Sequence, residues 1–130
     1  MSLWALLTAV AAMVTVMPAS AHHSTAAQFD IAKEPATVVG AITKMAWTNP
    51  HGWLYISVKN AQGQMEEWSI ELGGVNTLYR RGWRRTDLPI GETVTVTGYV
   101  AKDGSHSLGG ISIKLPDGRT LFAGTRPNER

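Results

Sequence analysis

The order of short alternating segments from residue 37 onward constrains the fold more than any other feature of the chain. In each segment, apolar residues recur at every second position, which is typical of β-strands that bury one face. Strands are predicted at residues 37–45, 53–59, 66–72, 93–100, 111–115 and 120–123. One short helix is predicted at 76–81, with Asn76 as its N-cap and Gly82 as its stop.

Three strands, a short helix and then two or three strands is the element order of the OB-fold, a small Greek-key barrel. We therefore predict an all-β protein with one short helix, folded as an OB-fold-like barrel of five to six strands. A β-sandwich is the competing architecture. It needs about seven or more strands, which are hard to fit into this length.

The N-terminal segment has the pattern of a secretory signal peptide. Residues 3–16 are almost all apolar, Pro18 breaks the run, and Ala19-Ser20-Ala21 supplies small residues at a cleavage site. The first residues carry no Lys or Arg, so an uncleaved membrane anchor is the alternative. We predict a signal peptide at 1–21, an extended arm at 22–36 with Phe29 as a possible anchor, the barrel at 37–124 and a flexible tail at 125–130.

Composition narrows the class of protein further. The net charge of +2 is too small to indicate either a nucleic acid or an acidic membrane as a partner. The absence of cysteine excludes disulfides, thiolate metal sites and thiol catalysis. Because no second apolar stretch is long enough for a transmembrane helix, we expect no membrane span after cleavage and a soluble exported protein, periplasmic in a Gram-negative source.

Cleavage after Ala21 would place His22 at the mature N-terminus. The α-amine has a far lower pKa than lysine, and imidazole is the commonest metal-ligating side chain, so one residue offers two nitrogen donors. Such a chelate suits copper(II) above all, with zinc as the second choice. A cut one residue earlier would make His23 the third residue, which also gives a copper-binding terminus.

Two further histidines fall in loops that flank the usual binding groove of an OB-fold. His51 is predicted in the loop between strands 1 and 2, and His106 in the loop between strands 4 and 5. If the arm folds over this groove, the histidines converge. The predicted metal ligands are His22, His23, His51 and His106. The alternative is that His51 caps a turn and His106 is a solvated loop residue.

Two other groups are candidate binding surfaces. The first is an aromatic platform of Trp47, Trp53 and Tyr55, which would stack a ligand or, alternatively, pack against the arm or the helix. The second is a set of four basic residues around Gly82-Trp83 that would hold an anion, a lipid phosphate or an acidic partner. They are Arg80, Arg81, Arg84 and Arg85. The alternative is a solvated basic face, with Asp87 neutralising one of them.

No catalytic residues are predicted. A hydrolase would need a nucleophile beside a base or paired carboxylates in a cleft, and no G-x-S-x-G motif is present. Glu67 and Glu71 are expected to share one face of strand 3, where Glu71 is expected to be solvated.

Several segments together resemble a known family. They are His22-His23-Ser24, Phe29-Asp30, Trp47-Thr48-Asn49-Pro50-His51, Arg80-Arg81-Gly82-Trp83, Val94-Thr95-Val96-Thr97-Gly98 and Leu121-Phe122-Ala123-Gly124. The combination is similar to domain-of-unknown-function family 6152 of small exported bacterial proteins. The resemblance implies a secreted β-barrel of unassigned activity and brings no catalytic residues with it.

The sequence thus predicts a periplasmic metal-binding protein that holds copper(II) through its mature N-terminus and loop histidines, in binding or trafficking. The alternative prediction is a module of the cell envelope that binds a small non-metal ligand or an envelope protein.

Overall fold

A computed structural model describes residues 25–124 of the chain. It contains six strands and two short α-helices. The strands are β1 (Ala36–Ala46), β2 (His51–Lys59), β3 (Met65–Gly73), β4 (Thr93–Val100), β5 (Ser107–Lys114) and β6 (Thr120–Phe122). The helices are α1 (Thr25–Gln28) and α2 (Val75–Arg80), and a single 3₁₀ turn follows at Arg85–Asp87.

The strands form a closed barrel. They follow the order β3-β2-β1-β4-β5-β6 with antiparallel neighbours, and a parallel pairing of β3 with β5 joins the ends. That pairing runs from Ser69 opposite Ser107 to Glu71 opposite Gly109. Five strands therefore close the ring, β6 extends β5 outside it, and the predicted all-β barrel with a helix between the third and fourth strands is confirmed.

Alternation along the strands fills the barrel with aliphatic side chains. Leu54 and Ile56 of β2 face Ile70 and Trp68 of β3 across the register, and the three aliphatic residues are fully buried. Helix α2 closes one end of this core with Leu78. Trp83 follows, fully buried, and its Nε1 donates to the carbonyl of Phe122 at 3.0 Å, so its one polar atom is satisfied inside the core.

Two predicted boundaries are wrong for identifiable reasons. Helix α2 begins at Val75, so Gly74 rather than Asn76 occupies the N-cap position, without a side-chain cap. Strand β5 begins at Ser107 inside the predicted 101–110 loop, because its two glycines hide the strand pattern. The predicted helix stop is confirmed: Gly82 follows the C-cap with φ of 93°.

Glycine is required at 109 because the N-terminal arm packs there. A Cβ on Gly109 would lie 2.9 Å from the ring of Phe29, which is fully buried. The backbone fastens the same segment: the N–H of Asp30 donates to Val100 at 2.9 Å, and that of Lys102 donates to Gln28 at 3.0 Å. Phe29 therefore anchors the arm, although the arm contains the helical turn α1 rather than being extended throughout.

Some predictions concern residues outside the described range. The signal peptide, the cleavage site and the tail at 125–130 belong to this group. Between residues 25 and 124, neither helix has the length and apolar character needed to cross a bilayer.

The contact between Phe29 and Gly109 is testable by a double-mutant cycle. Phe29→Ala should lower the free energy of unfolding by about 3–5 kcal/mol because it leaves a cavity. Gly109→Ala should cost about 1–3 kcal/mol through overpacking against the ring. The double variant should lose clearly less free energy of unfolding than the sum of the two single losses, because the ring that clashes with the new methyl group is absent from it. Urea unfolding measures all three.

Gly40→Ala is the matched control for that cycle. Its Cβ would meet the backbone oxygen of Ser57 at 2.5 Å, with no contact to Phe29. The loss in free energy of unfolding caused by Gly40→Ala should simply add to the loss caused by Phe29→Ala. If the losses caused by Gly109→Ala and Phe29→Ala were also additive, they would contradict the packing of Phe29 on Gly109.

Candidate functional site

His51 and Glu71 form a pair where β2 begins and β3 ends. His51 is the first residue of β2 rather than a loop residue. Its Nδ1 lies 3.2 Å from Oε1 of Glu71 and 3.3 Å from the carbonyl oxygen of Leu72. The ring is 39% exposed, whereas the carboxylate is only 7% exposed. A partly exposed imidazole is thus paired through its Nδ1 with a buried carboxylate.

The partners of Nδ1 decide which ring nitrogen is free. A backbone carbonyl can only accept, and an ionised carboxylate can only accept, so Nδ1 must carry the proton in the neutral ring. Nε2 then presents its lone pair, and residues 25–124 supply it with no hydrogen-bond partner. A carboxylate behind a histidine is the arrangement that orients metal-ligating imidazoles and raises their basicity.

The burial of Glu71 contradicts the expectation that it is solvated. It lies on the outward face of β3, opposite Trp53 of β2, yet the whole residue is only 5% exposed. Its neighbour across the β3–β5 pairing is Gly109, on which the ring of Phe29 packs. Gly109 and Phe29 are distant from Glu71 in sequence, so no local pattern around position 71 indicates this environment.

The anchored arm leads toward His22 and His23, which lie outside the described residues. Phe29 packs on the neighbour of Glu71, and the N–H of Phe29 closes the turn of α1 by donating to Thr25 at 2.8 Å. The arm thus begins its path beside the His51–Glu71 pair.

His106 lies elsewhere on the barrel. Its ring stacks on Trp68 with centroids 5.0 Å apart, and its Nε2 lies 3.6 Å from Oε2 of Glu66. Positions 66 and 71 are separated by about 16 Å along an extended strand, at about 3.3 Å per residue. His51 and His106 therefore do not converge, and within residues 25–124 no group of three or more His, Asp or Glu side chains could hold a metal ion.

The structure divides the predicted aromatic platform into two parts. Trp53 and Tyr55 lie on the outward face of β2, and the ammonium of Lys44 lies 5.3 Å from the centroid of the Tyr55 ring. Trp47 instead stacks on Tyr79 of α2, with centroids 5.8 Å apart and planes 10° from parallel. Trp47 therefore belongs with the helix and the arginines that follow it.

Two of the four predicted arginines extend this stack. The guanidinium of Arg85 lies 5.3 Å from the centroid of Trp47, and that of Arg84 lies 5.9 Å from that of Tyr79. Arg80 reaches Thr77 at 3.2 Å. We name Arg84, Tyr79, Trp47 and Arg85 the arginine–aromatic stack.

Asp87 does not neutralise this set, contrary to the expectation from sequence. Its Oδ1 binds the guanidinium of Arg119 at 2.9 Å, and its Oδ2 accepts the backbone N–H of Arg84 at 2.7 Å. Arg119 also binds Asp117 at 2.8 Å. The backbone N–H and the side chain of Arg119 lower the pKa of Asp117, and the two carboxylates raise the pKa of Arg119.

These ion pairs line a shallow cavity of about 220 Å³ beside the 3₁₀ turn. Glu92 lines it together with Asp87, Asp117 and Arg119, and the ion pairs of Arg119 join the turn between β5 and β6 to the 3₁₀ turn.

The fold and the paired histidine define a small closed β-barrel with an arm fastened across its outer face. The chain belongs to a family of unknown function (DUF6152), whose model matches residues 9–111. No curated protein and no solved structure matches the chain significantly. The resemblance stated from the sequence is thereby confirmed, and it assigns no activity.

The geometry predicts the tautomers of the two described histidines. In metal-free protein at alkaline pH, His51 should be protonated at Nδ1, because both neighbours of that atom accept. His106 serves as the internal comparison and should be protonated at Nε2, which faces Glu66. Long-range proton–nitrogen NMR correlations distinguish the two forms. An Nε2-protonated His51 would contradict the pairing described here.

Proposed function

We propose that this protein binds copper(II) in the cell envelope, with Nε2 of His51 and the α-amine and imidazole of His22 as the nitrogen ligands. The observation that carries the proposal is the His51–Glu71 pair. Glu71 and the Leu72 carbonyl hold Nδ1, so the ring is oriented and its other nitrogen is left available. Zinc, which also binds imidazole nitrogen, is the second choice of metal.

The rest of the ligand set has to come from the arm. Since residues 25–124 contain no group of three suitable side chains, a tight site at His51 needs donors from elsewhere in the chain. A chain beginning at His22 would supply two nitrogens at once, and copper(II) favours such nitrogen donors. His23 remains a candidate ligand in the same segment, whereas His106 is too far from His51 to share its ion.

The anchoring of the arm supports this ligand set. From Phe29 back to Thr25, one helical turn covers about 6 Å. The three residues from Thr25 back to His22 span at most about 10 Å more. Phe29 packs on Gly109, which is paired with Glu71, and this placement supports a path of the arm toward His51.

Processed protein should bind one equivalent of copper(II) tightly, with nitrogen hyperfine structure in its paramagnetic resonance spectrum. His51→Ala should weaken the affinity by more than the roughly 10–100-fold typical of an outer-shell loss, because it removes a ligand. One extra residue before His22 should also weaken the copper affinity, because it moves the α-amine away from the imidazole of His22. Calorimetry measures the affinities, and mass spectrometry establishes the N-terminus.

His106→Ala is the matched control, because it removes an imidazole that lies far from His51. Its affinity for copper should equal that of the wild type. Equal losses in the His106 and His51 variants, or no loss in either, would contradict the assignment.

Phe29 should matter for binding although it is no ligand. Phe29→Ala releases the arm from the barrel and lowers the effective concentration of the N-terminal chelate at His51, so we expect roughly tenfold weaker copper binding. Circular dichroism checks that the barrel stays folded at the assay temperature. Unchanged affinity would mean that the arm finds His51 without its anchor.

The second candidate function is a non-metal binding module, supported by the partial exposure of Trp53 and Tyr55. Tryptophan fluorescence separates the two functions. Quenching of the fluorescence at equimolar copper favours the metal site. Fluorescence that is unchanged by metals but changes with glycans or peptides favours the non-metal binding module.

A further inference from the structure

The arginine–aromatic stack is a prearranged cationic surface. It consists of two stacked rings with one guanidinium on each, in the order Arg85, Trp47, Tyr79 and Arg84, with successive separations of 5.3, 5.8 and 5.9 Å. Arg84 is held further by hydrogen bonds from Nη1 to the carbonyls of Trp83 at 2.7 Å and Tyr79 at 3.2 Å. Holding long side chains in place reduces the entropy that binding would otherwise cost.

The charge of this surface is not cancelled within the described part of the chain. No carboxylate of residues 25–124 lies within ion-pair distance of Arg80, Arg84 or Arg85. The sequence contains no Asp or Glu between Glu71 and Asp87, and Asp87 is turned toward Arg119. The three arginines are exposed, so their charge faces solvent.

We propose that the arginine–aromatic stack docks the protein on an anionic phospholipid surface. Arginine guanidiniums bind phosphate with two parallel hydrogen bonds, and basic clusters of this kind are attracted to anionic lipids. Tryptophan and tyrosine are the residues enriched at the level of lipid headgroups. Trp47 is half-buried and Tyr79 is 36% exposed, so both rings reach the surface between the charges.

The dimensions of the stack favour an extended anionic surface over a single small anion. The guanidinium of Arg85 lies over Trp47 and that of Arg84 lies over Tyr79, each more than 5 Å from the centroid of its own ring. Separate headgroups of a bilayer can occupy both positions, with Arg80 adding charge on the adjoining helix.

Vesicle sedimentation tests the proposal with protein purified as the cell processes it. The probes are vesicles of phosphatidylcholine alone and of equimolar phosphatidylcholine and phosphatidylglycerol. Wild-type protein should partition onto the anionic vesicles only, and less so as salt rises. Arg84→Gln with Arg85→Gln should weaken this partitioning roughly 20–30-fold, at about fivefold for each basic residue.

The matched control is Lys59→Gln with Lys114→Gln, which removes the same charge from exposed positions outside the stack. This control should retain nearly all of the partitioning. Because Arg84 also binds two carbonyls, Arg80→Gln with Arg85→Gln provides a second test variant that leaves those hydrogen bonds intact.

Two outcomes would overturn the proposal. Equal losses in the arginine and lysine variants would show a response to net charge alone, and absence of wild-type binding to anionic vesicles would leave no lipid docking at all. Full retention of copper affinity in the arginine variants is expected, because none of the substituted residues belongs to the His51–Glu71 pair.

Discussion

The parallel pairing of β3 with β5 is the contact on which the rest of the structure depends. It closes five strands into a barrel, and it places Gly109 directly beside Glu71. The missing side chain at Gly109 makes room for the Phe29 ring, which fastens the arm over the outer face. One long-range strand pairing thus closes the core and brings Glu71 next to the glycine on which the arm is anchored.

Much of the barrel was predictable because it rests on local alternation. Residues 93–100 alternate cleanly between apolar and polar, and the structure forms β4 over the same range. The start of β5 was not predictable in this way, since Gly109 and Gly110 carry no side chains to alternate. Glycine is needed at these positions because a Cβ on Gly109 would meet Phe29 and one on Gly110 would meet Ile70, and both neighbours are remote in sequence.

The candidate site likewise has parts that the local sequence predicts and parts that depend on tertiary contacts. His51 is identified as a candidate nitrogen donor from its residue type. Its partner Glu71 was missed because an outward-facing glutamate on a strand is expected to be solvated, and its burial arises from the tertiary structure. The sequence also predicted that His51 and His106 converge, but they contact Glu71 and Glu66, which are five residues apart on β3. The prediction was made from the loops alone, and loops do not reveal how neighbouring strands are paired.

The two proposed surfaces share one short connection. Trp47 belongs to the arginine–aromatic stack and His51 to the proposed copper site, and the loop between them spans at most about 13 Å. Thr48 fixes this loop, since its Oγ1 donates to the carbonyl of His51 at 2.6 Å and its own carbonyl accepts from Val75 at 3.2 Å. Docking through the stack would therefore hold the proposed copper site close to the lipid headgroups.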